Sequence, residues 1–317
     1  FGIDYQSGSA GSITNSIIRY GGKFTGVLGN KANIYITNSS PAITNSTIEY
    51  GRTYGIYLDT SSSTISNNTI RYQTTDTPAY GVYGSGGAPT ITNNTIASNS
   101  YGMAFWDSTG TFSSNTFTNN TNGAFTWAGG LTGAGRIQGN TGSGNGTWNG
   151  IRLNGGNLLS AGATSTFSAN TLFPYILPST SEVPTGAGLI AEAGSVWKFA
   201  GVSFNIYGRI EAQGTPSSPV LFTHWLSDSD GSDVHGNGST TPTTLFPSGI
   251  YLKPNATSDF TNSTISYLDN GLNYDSSTIS LENVLFSHNL QAISAPAGTP
   301  VTKAINVSFE GNVGTST

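Results

Sequence analysis

Cysteine is absent from this chain of 317 residues, and charged residues make up only 9% of it. Without cysteine, neither disulfide bonds nor thiolate metal sites can contribute to the fold. Lysine and arginine together number 11 against 16 acidic residues, for a formal net charge of −5. Because no basic cluster occurs, we expect no nucleic-acid partner. No run of about 18 apolar residues occurs either, so we predict no membrane-spanning helix.

Helical periodicity is also missing from the sequence. No segment shows convincing apolar spacing at i, i+3, i+4 and i+7, as an amphipathic helix would. Glycine is abundant, with 42 residues, and the polar residues are mostly asparagine, serine and threonine. Short apolar stretches between glycine and small polar residues are typical of strands joined by tight turns. We therefore predict an all-β protein.

The strongest pattern is a repeat, which is clearest between Ile43 and Asn99. It reads ITNSTIEYG, then ISNNTIRYQ, then ITNNTIASN, with apolar residues five positions apart and an asparagine two positions after the first. Neighbouring copies lie 21 to 30 residues apart, except across one central gap. The looser copies begin at Ile13, Phe112, Ile137, Phe167, Phe260, Leu281 and Ala304. A variable period of this length is typical of a solenoid with insertions in its loops.

A second phrase alternates with the first. Tyr54-Gly-Ile-Tyr-Leu58 and Tyr80-Gly-Val-Tyr83 are its clearest copies, and Gly249-Ile-Tyr-Leu252 is a later one. Each rung therefore carries at least two short strands joined at tight corners. Rungs this small bury an apolar face only when they stack, with parallel strands around a column of Ile, Val, Leu and Phe. We predict a parallel β-solenoid of roughly 13–14 rungs.

The N-N-T-I and Y-G-I-Y-L phrases resemble those of the right-handed parallel β-helix, the fold of pectin-degrading enzymes, phage tailspikes and many bacterial surface proteins. They are similar to repeats identified there as carbohydrate-binding and sugar-hydrolase modules. The resemblance covers most of the chain and implies a right-handed parallel β-helix. It implies little about activity, because the matching residues belong to the scaffold.

Three segments are predicted along the chain. They are a first β-helix segment at residues 1–172, a proline-rich linker or crossing loop at residues 173–185, and a second β-helix segment at residues 186–317. The prolines Pro174, Pro178 and Pro184 interrupt the repeat there. The stretch after them, from Gly188 to Phe199, resembles the opening rungs of β-helix units in large bacterial surface proteins.

Stacked rungs place equivalent residues in ladders. One asparagine of each copy is predicted to hydrogen-bond along the stack through its side-chain amide, as a structural ladder of Asn15, Asn45, Asn67, Asn93, Asn262, Asn283 and Asn306. If this ladder occupies its own glycosylation sequons, the remaining loop candidates for glycosylation are Asn38, Asn119, Asn145, Asn237 and Asn255. Chance occurrence of sequons in an Asn- and Thr-rich chain is the competing explanation.

Three early copies carry a charged residue just after the second apolar anchor: Arg19, Glu49 and Arg71. In register these side chains would form an exposed ladder of alternating charge. The next residue in each copy is a tyrosine, so a parallel stack of Tyr20, Tyr50 and Tyr72 is expected beside them. We interpret this stack as corner packing, with a ligand platform as the alternative.

An outward row of aromatic residues is the better candidate for binding. Strand alternation places Ile56 and Leu58 inside the solenoid, so Tyr57 points outward. The same alignment predicts an outward aromatic stripe at Tyr57, Tyr83, Trp106, Phe125, Trp127 and Tyr251. Such a stripe could stack on sugar rings or form a protein contact. Single exposed aromatic residues are, however, normal in soluble proteins.

The densest polar cluster runs from His224 to Asn237. Its aspartates, Asp228, Asp230 and Asp233, resemble part of a calcium loop, because alternate carboxylates around a glycine turn can converge on one hard cation. The distal glutamate of an EF-hand is missing, and an ordinary solvated turn has the same composition. Ca²⁺ is therefore the one cofactor that the sequence suggests, and none is required.

No catalytic constellation stands out. A β-helix lyase needs a base near acidic calcium ligands, and a glycoside hydrolase needs paired carboxylates, whereas the acidic residues here are scattered. We therefore predict a non-catalytic structural protein, a filament, adhesin or sheath that is extracellular or on the cell surface. Its expected partners are copies of itself stacked head to tail, or flanking repeats of a longer chain.

The alternative function is a polysaccharide-binding or polysaccharide-degrading module, a lyase or hydrolase, that uses the aromatic stripe and the loop at residues 228–237. A base and two carboxylates on adjacent rungs would favour the enzyme. A plain Ser, Thr and Asn face with matching uncovered ends would favour the filament.

Overall fold

The computed structural model describes residues 2–22, 32–76, 78–129, 136–170, 172–228, 233–235, 238, 241–242, 248–275, 277–296 and 301–314. Within these ranges the chain is all-β and helix-free, a parallel β-solenoid of about 11 turns. This count is somewhat below the roughly 13–14 rungs that the repeat predicted.

Two compact units make up the chain. The first comprises Phe1–Ala128 and Gly135–Ile151, and the second comprises Gly129–Ala134 and Arg152–Thr317. The strand Ile151–Asn154 (β19) begins at the boundary. The part of the chain that the structure describes contains no helix with the length and apolarity needed to cross a bilayer.

Each turn of the first unit contributes one strand to each of three parallel sheets. Sheet 1 contains β1 (Ile3–Tyr5), β4 (Ala32–Thr37), β7 (Tyr54–Asp59), β10 (Tyr80–Ser85), β13 (Tyr101–Trp106) and β16 (Gly123–Ala128). Sheet 2 contains β2 (Ser12–Thr14), β5 (Ala42–Thr44), β8 (Thr64–Ser66), β11 (Thr90–Thr92), β14 (Thr111–Ser113) and β17 (Arg136–Gln138). Sheet 3 contains β3 (Ile17–Arg19), β6 (Thr47–Glu49), β9 (Thr69–Arg71), β12 (Thr95–Ala97), β15 (Thr116–Thr118) and β18 (Thr141–Ser143).

The second unit is also built from stacked parallel strands. One sheet contains β20 (Gly156–Asn157), β23 (Ser181–Val183), β26 (Ser203–Ile206), β29 (Gly249–Leu252), β31 (Asn270–Tyr274) and β33 (Gln291–Ser294). The remaining strands are β21 (Thr164–Phe167), β22 (Tyr175–Leu177), β24 (Gly188–Glu192), β25 (Val196–Phe199), β27 (Arg209–Gln213), β28 (Val220–His224), β30 (Thr257–Ser266), β32 (Thr278–Ser287), β34 (Lys303–Ile305) and β35 (Ser308–Glu310). The long strand β30 pairs with both β27 and β28, so two faces merge there.

Residues 173–185, predicted to be a linker or crossing loop, contain β22 and β23, which pair with β25 and β26. Pro174 precedes β22, Pro178 follows it and Pro184 follows β23. A proline outside a strand removes no ladder hydrogen bond, because its missing N–H lies beyond the paired residues. The prolines therefore lie between strands and do not interrupt the sheets.

The apolar anchors of the repeat form the core, as predicted. Ile43, Ile48, Ile65 and Ile70 are buried on sheets 2 and 3, and their neighbours on adjacent turns are again apolar. Burial of one such side chain stabilises the fold by about 1.5–3 kcal/mol. The stacked turns thus supply the apolar contacts that a single turn lacks.

The glycine of the second phrase is required by the close approach of neighbouring strands. A Cβ at Gly55 would lie 2.6 Å from the carbonyl oxygen of Gly81, and a Cβ at Gly81 would lie 2.7 Å from that of Gly102. Real Cβ atoms do not approach backbone oxygen so closely. The Tyr-Gly pairs in the sequence therefore mark where sheet 1 packs most tightly against the next turn.

The predicted asparagine ladder is displaced by one residue. Asn45, Asn67 and Asn93 occupy equivalent corners, but each has a positive φ, between 51° and 57°, and is exposed. In the second unit the prediction holds for one pair, because the side-chain nitrogen of Asn306 donates to the side-chain oxygen of Asn283 at 3.0 Å. Asn15 is an exposed corner of the same type, and half-buried Asn262 donates to the Gly214 carbonyl. Asparagine tolerates the left-handed region better than most residues, which explains its choice at these corners.

The buried ladder uses the following residue of each copy. Asn68, Asn94, Asn115 and Asn140 are buried in successive turns, and each amide nitrogen of the first three donates to the carbonyl oxygen of the next side chain at 3.0–3.1 Å. A second buried ladder runs through Gln73, Asn99, Asn120 and Asn145. Both ladders satisfy corner backbone groups that water cannot reach.

The predicted ladder of alternating charge is confirmed in its pairing, but its central carboxylate is buried and not exposed as expected. Glu49 is buried and forms ion pairs with Arg19 at 2.9 Å and Arg71 at 3.0 Å. Beside it, the rings of Tyr20, Tyr50 and Tyr72 stack with centroids 5.4 and 5.0 Å apart. These tyrosines have a positive φ, and ring stacking offsets part of the cost of that conformation.

Candidate functional site

Seven aromatic side chains from four consecutive turns gather on the outer surface of sheet 1. They form two columns, one of Tyr35, Tyr57, Tyr83 and Trp106 and one of Tyr54, Tyr80 and Tyr101. All seven are half-exposed. We refer to these seven residues as the aromatic face.

Parallel strand pairing builds the first column. Tyr35 on β4, Tyr57 on β7 and Tyr83 on β10 are direct partners in the register, and their ring centroids are 4.6 and 5.4 Å apart. The next position is Ala104, a small residue, and the ring of Trp106 packs against Tyr83 at 4.9 Å instead. The column therefore continues across four turns.

The second column stands beside the first. Tyr54, Tyr80 and Tyr101 begin their strands, immediately before the tightly packed glycine, and stack at 6.1 and 5.1 Å. Tyr54 meets Tyr57 edge to face at 5.1 Å, and Tyr80 meets Tyr83 at 5.3 Å. Contacts within and between the columns therefore join the rings of the aromatic face into one continuous surface.

The ring stacking determines which atoms of the aromatic face contact solvent. Rings within a column face one another, so the column presents ring edges and phenolic hydroxyls to solvent, with open ring faces at its ends. Burial, reinforced by the nearby hydroxyl of Tyr35 and carboxylate of Asp59, raises the pKa of Tyr57 to about 12. Burial also raises the pKa of Tyr54 and of Tyr83. These phenols therefore stay protonated at neutral pH and donate hydrogen bonds.

Tyr57, Tyr83 and Trp106 thus lie together, but two residues predicted for the stripe belong to the core. Phe125 pairs with Met103, and Trp127 pairs with Phe105, both on the inner side of sheet 1. An outward Phe125 requires Gly123 to be the register partner of Gly102, whereas Gly123 pairs with Tyr101. A shift of one residue along a strand exchanges its inner and outer faces, so the prediction was wrong for both.

Tyr251 belongs to the second unit and lies between Asn205 and Asn273 on the adjacent strands. Its ring contacts the Lys253 ammonium group at 5.3 Å, and its hydroxyl accepts a hydrogen bond from Asn270. It is therefore not a member of an aromatic column like those of the first unit.

Four members of the aromatic face were not predicted: Tyr35, Tyr54, Tyr80 and Tyr101. The signal for three of them was present, since each directly precedes the glycine of a Tyr-Gly pair. Ile34-Tyr-Ile36 also matches Ile56-Tyr-Leu58 in pattern. What the sequence did not show is that the strand-start tyrosines bend onto the same side as Tyr57.

The predicted calcium loop is only partly described. Asp230 lies outside the described residues, while Asp233 accepts hydrogen bonds from the backbone N–H groups of His235 and Gly238 at 3.0 Å and so caps its own turn. Asp228 is half-buried, and its carboxylate acts to raise the pKa of His235 against the larger lowering effect of burial. Among the residues that the structure describes, no group of three acidic, histidine or cysteine side chains is placed to hold a metal ion.

The glycosylation candidates differ in accessibility. Asn38, Asn119 and Asn255 are exposed corners with a positive φ. Asn145 is buried at the end of the second ladder, where its amide donates to Phe117 and Asn149, so its selection as a loop candidate was wrong. Asn237 lies outside the described residues.

The second unit contains a separate open groove with a volume of about 410 Å³. Tyr207 and Arg209 line it together with three glycines and several threonines. Arg209 is ion-paired with Glu211. This groove is the alternative to the aromatic face as a candidate ligand site.

Comparison with known proteins agrees with the architecture. The family model described as "right handed beta helix region" matches residues 32–195, a stretch that includes all seven residues of the aromatic face. No curated protein and no solved structure matches the chain.

Proposed function

This chain belongs to the right-handed β-helix family, and from that premise we propose that it is a non-catalytic, polysaccharide-binding scaffold of the cell surface or extracellular space. The observation that carries the proposal is the aromatic face, in which seven rings from four turns form one continuous surface. Its glycan lies along the hydroxyl rows and across the ring edges.

Tyrosine is well suited to such a contact. Its rigid ring offers a large amphipathic surface and loses little conformational freedom on binding. Here the ring stacking has already ordered the side chains, which reduces the entropy lost when a ligand binds. An extended polymer fits a surface that repeats from turn to turn better than a compact ligand does.

The protonation state of the face supports binding and not proton abstraction. A tyrosine acting as a general base must lose its proton near the working pH. The raised pKa of Tyr57, about 12, keeps this phenol neutral. The pKa values of Tyr54 and Tyr83 are raised as well. The hydroxyls of Tyr54, Tyr57 and Tyr83 therefore remain available as hydrogen-bond donors to sugar oxygens.

Replacement of the central ring tests the proposal. Tyr57 contacts Tyr35, Tyr54 and Tyr83, so Tyr57→Ala removes one ring and loosens three others. We expect affinity for the bound polysaccharide to fall by about tenfold or more, in line with the loss of an aromatic anchor. The measurement is binding to a panel of insoluble and soluble polysaccharides, followed by titration of the best ligand.

Two matched variants serve as controls. Tyr251→Ala removes a half-exposed tyrosine outside the aromatic face, and Tyr207→Ala removes the aromatic wall of the competing groove. Both should bind as the wild type does. Loss of binding in Tyr207→Ala with full binding in Tyr57→Ala would move the site to the groove, and wild-type binding by all three variants would contradict the proposal.

A second function, end-to-end assembly, has its own supporting observation. Core positions are exposed in the outermost described turns: Ile3 is 39% exposed and Phe309 is 54% exposed, whereas their partners on the next turn, Ile34 and Phe286, are fully buried. A further β-helix turn would bury both, and either a flanking repeat of a longer chain or a second copy in head-to-tail contact could supply it.

Self-association is expected to depend on these two apolar residues. In Phe309→Asp, a charge would face the next copy, and the average mass at high protein concentration should fall to that of a monomer. Sedimentation at rising concentration, together with electron microscopy of the same samples, provides the measurement. Wild-type protein that remains monomeric throughout the concentration series would rule out assembly by this contact.

A further inference from the structure

We propose that the polysaccharide held on the aromatic face is a polymer of amino sugars with free ammonium groups, and that Asp59 pairs with those groups. This inference rests on the proposed function and specifies the charge class of the ligand. It assigns Asp59 as a specificity-determining residue at the edge of the aromatic face.

The strands of the aromatic face carry one charged residue, and it is acidic. Across β4, β7, β10 and β13, every position is neutral except Asp59 at the end of β7. Strand alternation places Asp59 on the same outer side as Tyr57, two residues earlier. The half-exposed Asp59 pairs in register with Thr37 and Ser85, and Ser85 pairs with Trp106. The carboxylate therefore lies in the row alongside the first aromatic column.

Two more carboxylates lie at the borders of the face. Asp4 on β1 is the register partner of Tyr35 and so extends the first column by one turn. Asp107 follows Trp106 directly, at an exposed corner with a φ of 48°. With Asp59, these residues place negative charge at three positions around the rings.

Two described arginines close in sequence to these strands are already paired with other carboxylates. Arg52 is engaged with Asp76 at 3.0 Å, and the Thr53 hydroxyl also donates to that carboxylate. Arg71 belongs to sheet 3, where it is paired with Glu49. Among the described residues of β4, β7, β10 and β13 there is no lysine or arginine, so the formal charge on these four strands is negative.

The electrostatics of the rings agree with this charge. The Asp59 carboxylate adds to the effect of burial in raising the pKa of Tyr57, and Asp76 adds in the same way at Tyr54. Phenolic oxygens accept hydrogen bonds from ammonium groups, and the open ring faces at the ends of the columns attract cations. An ammonium group therefore gains mainly from the carboxylates and the phenolic oxygens, whereas the carboxylate of an acidic sugar is repelled by Asp4, Asp59 and Asp107.

Oligomers of equal length and different charge test this inference. Glucosamine oligomers, their N-acetylated counterparts and galacturonate oligomers are titrated into the wild-type protein at low and high salt, at a mildly acidic pH at which the sugar amines are ammonium groups and the carboxylates are ionised. We expect the glucosamine oligomers to bind about tenfold more tightly than the N-acetylated ones at low salt, since several ion pairs add to the common hydrogen bonds. The galacturonate oligomers should bind most weakly, and added salt should reduce the differences.

A pair of aspartate variants locates the effect. Asp59→Asn should lower the preference for the glucosamine oligomers over the N-acetylated ones by about two- to fivefold. Asp259→Asn is the matched control, since Asp259 is an exposed strand carboxylate of the second unit that also accepts a hydrogen bond from a neighbouring threonine. It should behave as the wild type does.

The outcomes separate this inference from the proposed function. Equal or stronger binding of N-acetylated or acidic oligomers, abolished by Tyr57→Ala, would overturn the charge preference while keeping the aromatic face as a glycan site. A glucosamine preference that survives Asp59→Asn unchanged would overturn the role of Asp59. Absence of binding to every oligomer would overturn the proposed function as well.

Discussion

Asn94→Ala is expected to destabilise the first unit by about 3–5 kcal/mol, because it leaves several buried polar groups without partners. The Asn94 side chain accepts hydrogen bonds from the backbone and the amide group of Asn68, and its own amide donates to Ile65, Thr92 and Asn115. Alanine fills none of these roles. Denaturant-induced unfolding followed by circular dichroism measures the loss.

The adjacent residue is the matched control for this variant. Asn93 is exposed and has a φ of 57°, so Asn93→Gly keeps the left-handed corner and should change the free energy of unfolding by only a few tenths of a kcal/mol. Hydrogen exchange adds a local readout, since the Asn68 amide proton should lose protection in Asn94→Ala. A small and equal effect of both substitutions would show that the buried ladder contributes little stability.

Gly81→Ala is expected to cost about 3 kcal/mol by overpacking. The new Cβ would lie 2.7 Å from the carbonyl oxygen of Gly102 and 2.9 Å from side-chain atoms of Ile96 and Asn99. All three neighbours belong to the packed interior or to a paired strand, so none can move aside cheaply. The thermal unfolding midpoint of the variant, measured beside the wild type, tests this expectation.

Gly123→Ala offers the comparison at a glycine with more room. Gly123 is the register partner of Tyr101, a position that accepts a large side chain in the neighbouring turn. The closest atom to its new Cβ is a side-chain carbon of Trp148 at 3.2 Å, so we expect a loss below about 1 kcal/mol. If Gly81→Ala were as mild as Gly123→Ala, close strand approach would not be the reason for the Tyr-Gly pairs.

The repeat alone predicted much of the fold. Apolar anchors five residues apart, such as Ile65 and Ile70, were predicted to line the core, and both are buried. They lie on two separate strands, so each turn of the first unit has three strands where at least two were predicted. The charge ladder through Glu49 followed from the same register. These inferences succeeded because a solenoid repeats one local conformation, so sequence spacing converts directly into position in space.

Adjacent asparagines show where inference from sequence spacing fails. In the pair Asn67-Asn68, the first residue lies at the exposed corner and the second in the buried ladder. Both positions suit asparagine, one for its tolerance of the left-handed region and the other for its paired donor and acceptor. Composition alone does not assign the roles; the direction of each side chain does.

The sequence by itself determined that the chain is a stacked, all-β solenoid, because periodic apolar anchors and corner residues are local properties of each turn. Only the tertiary structure decided which aromatic residues form the surface. The pairing of Gly123 with Tyr101 sends Phe125 and Trp127 inward, and contacts between strand-start and mid-strand rings bring Tyr54 beside Tyr57. A one-residue change in register reverses the direction of every side chain in a strand, so the pairing between turns, and not the spacing within them, establishes the candidate site.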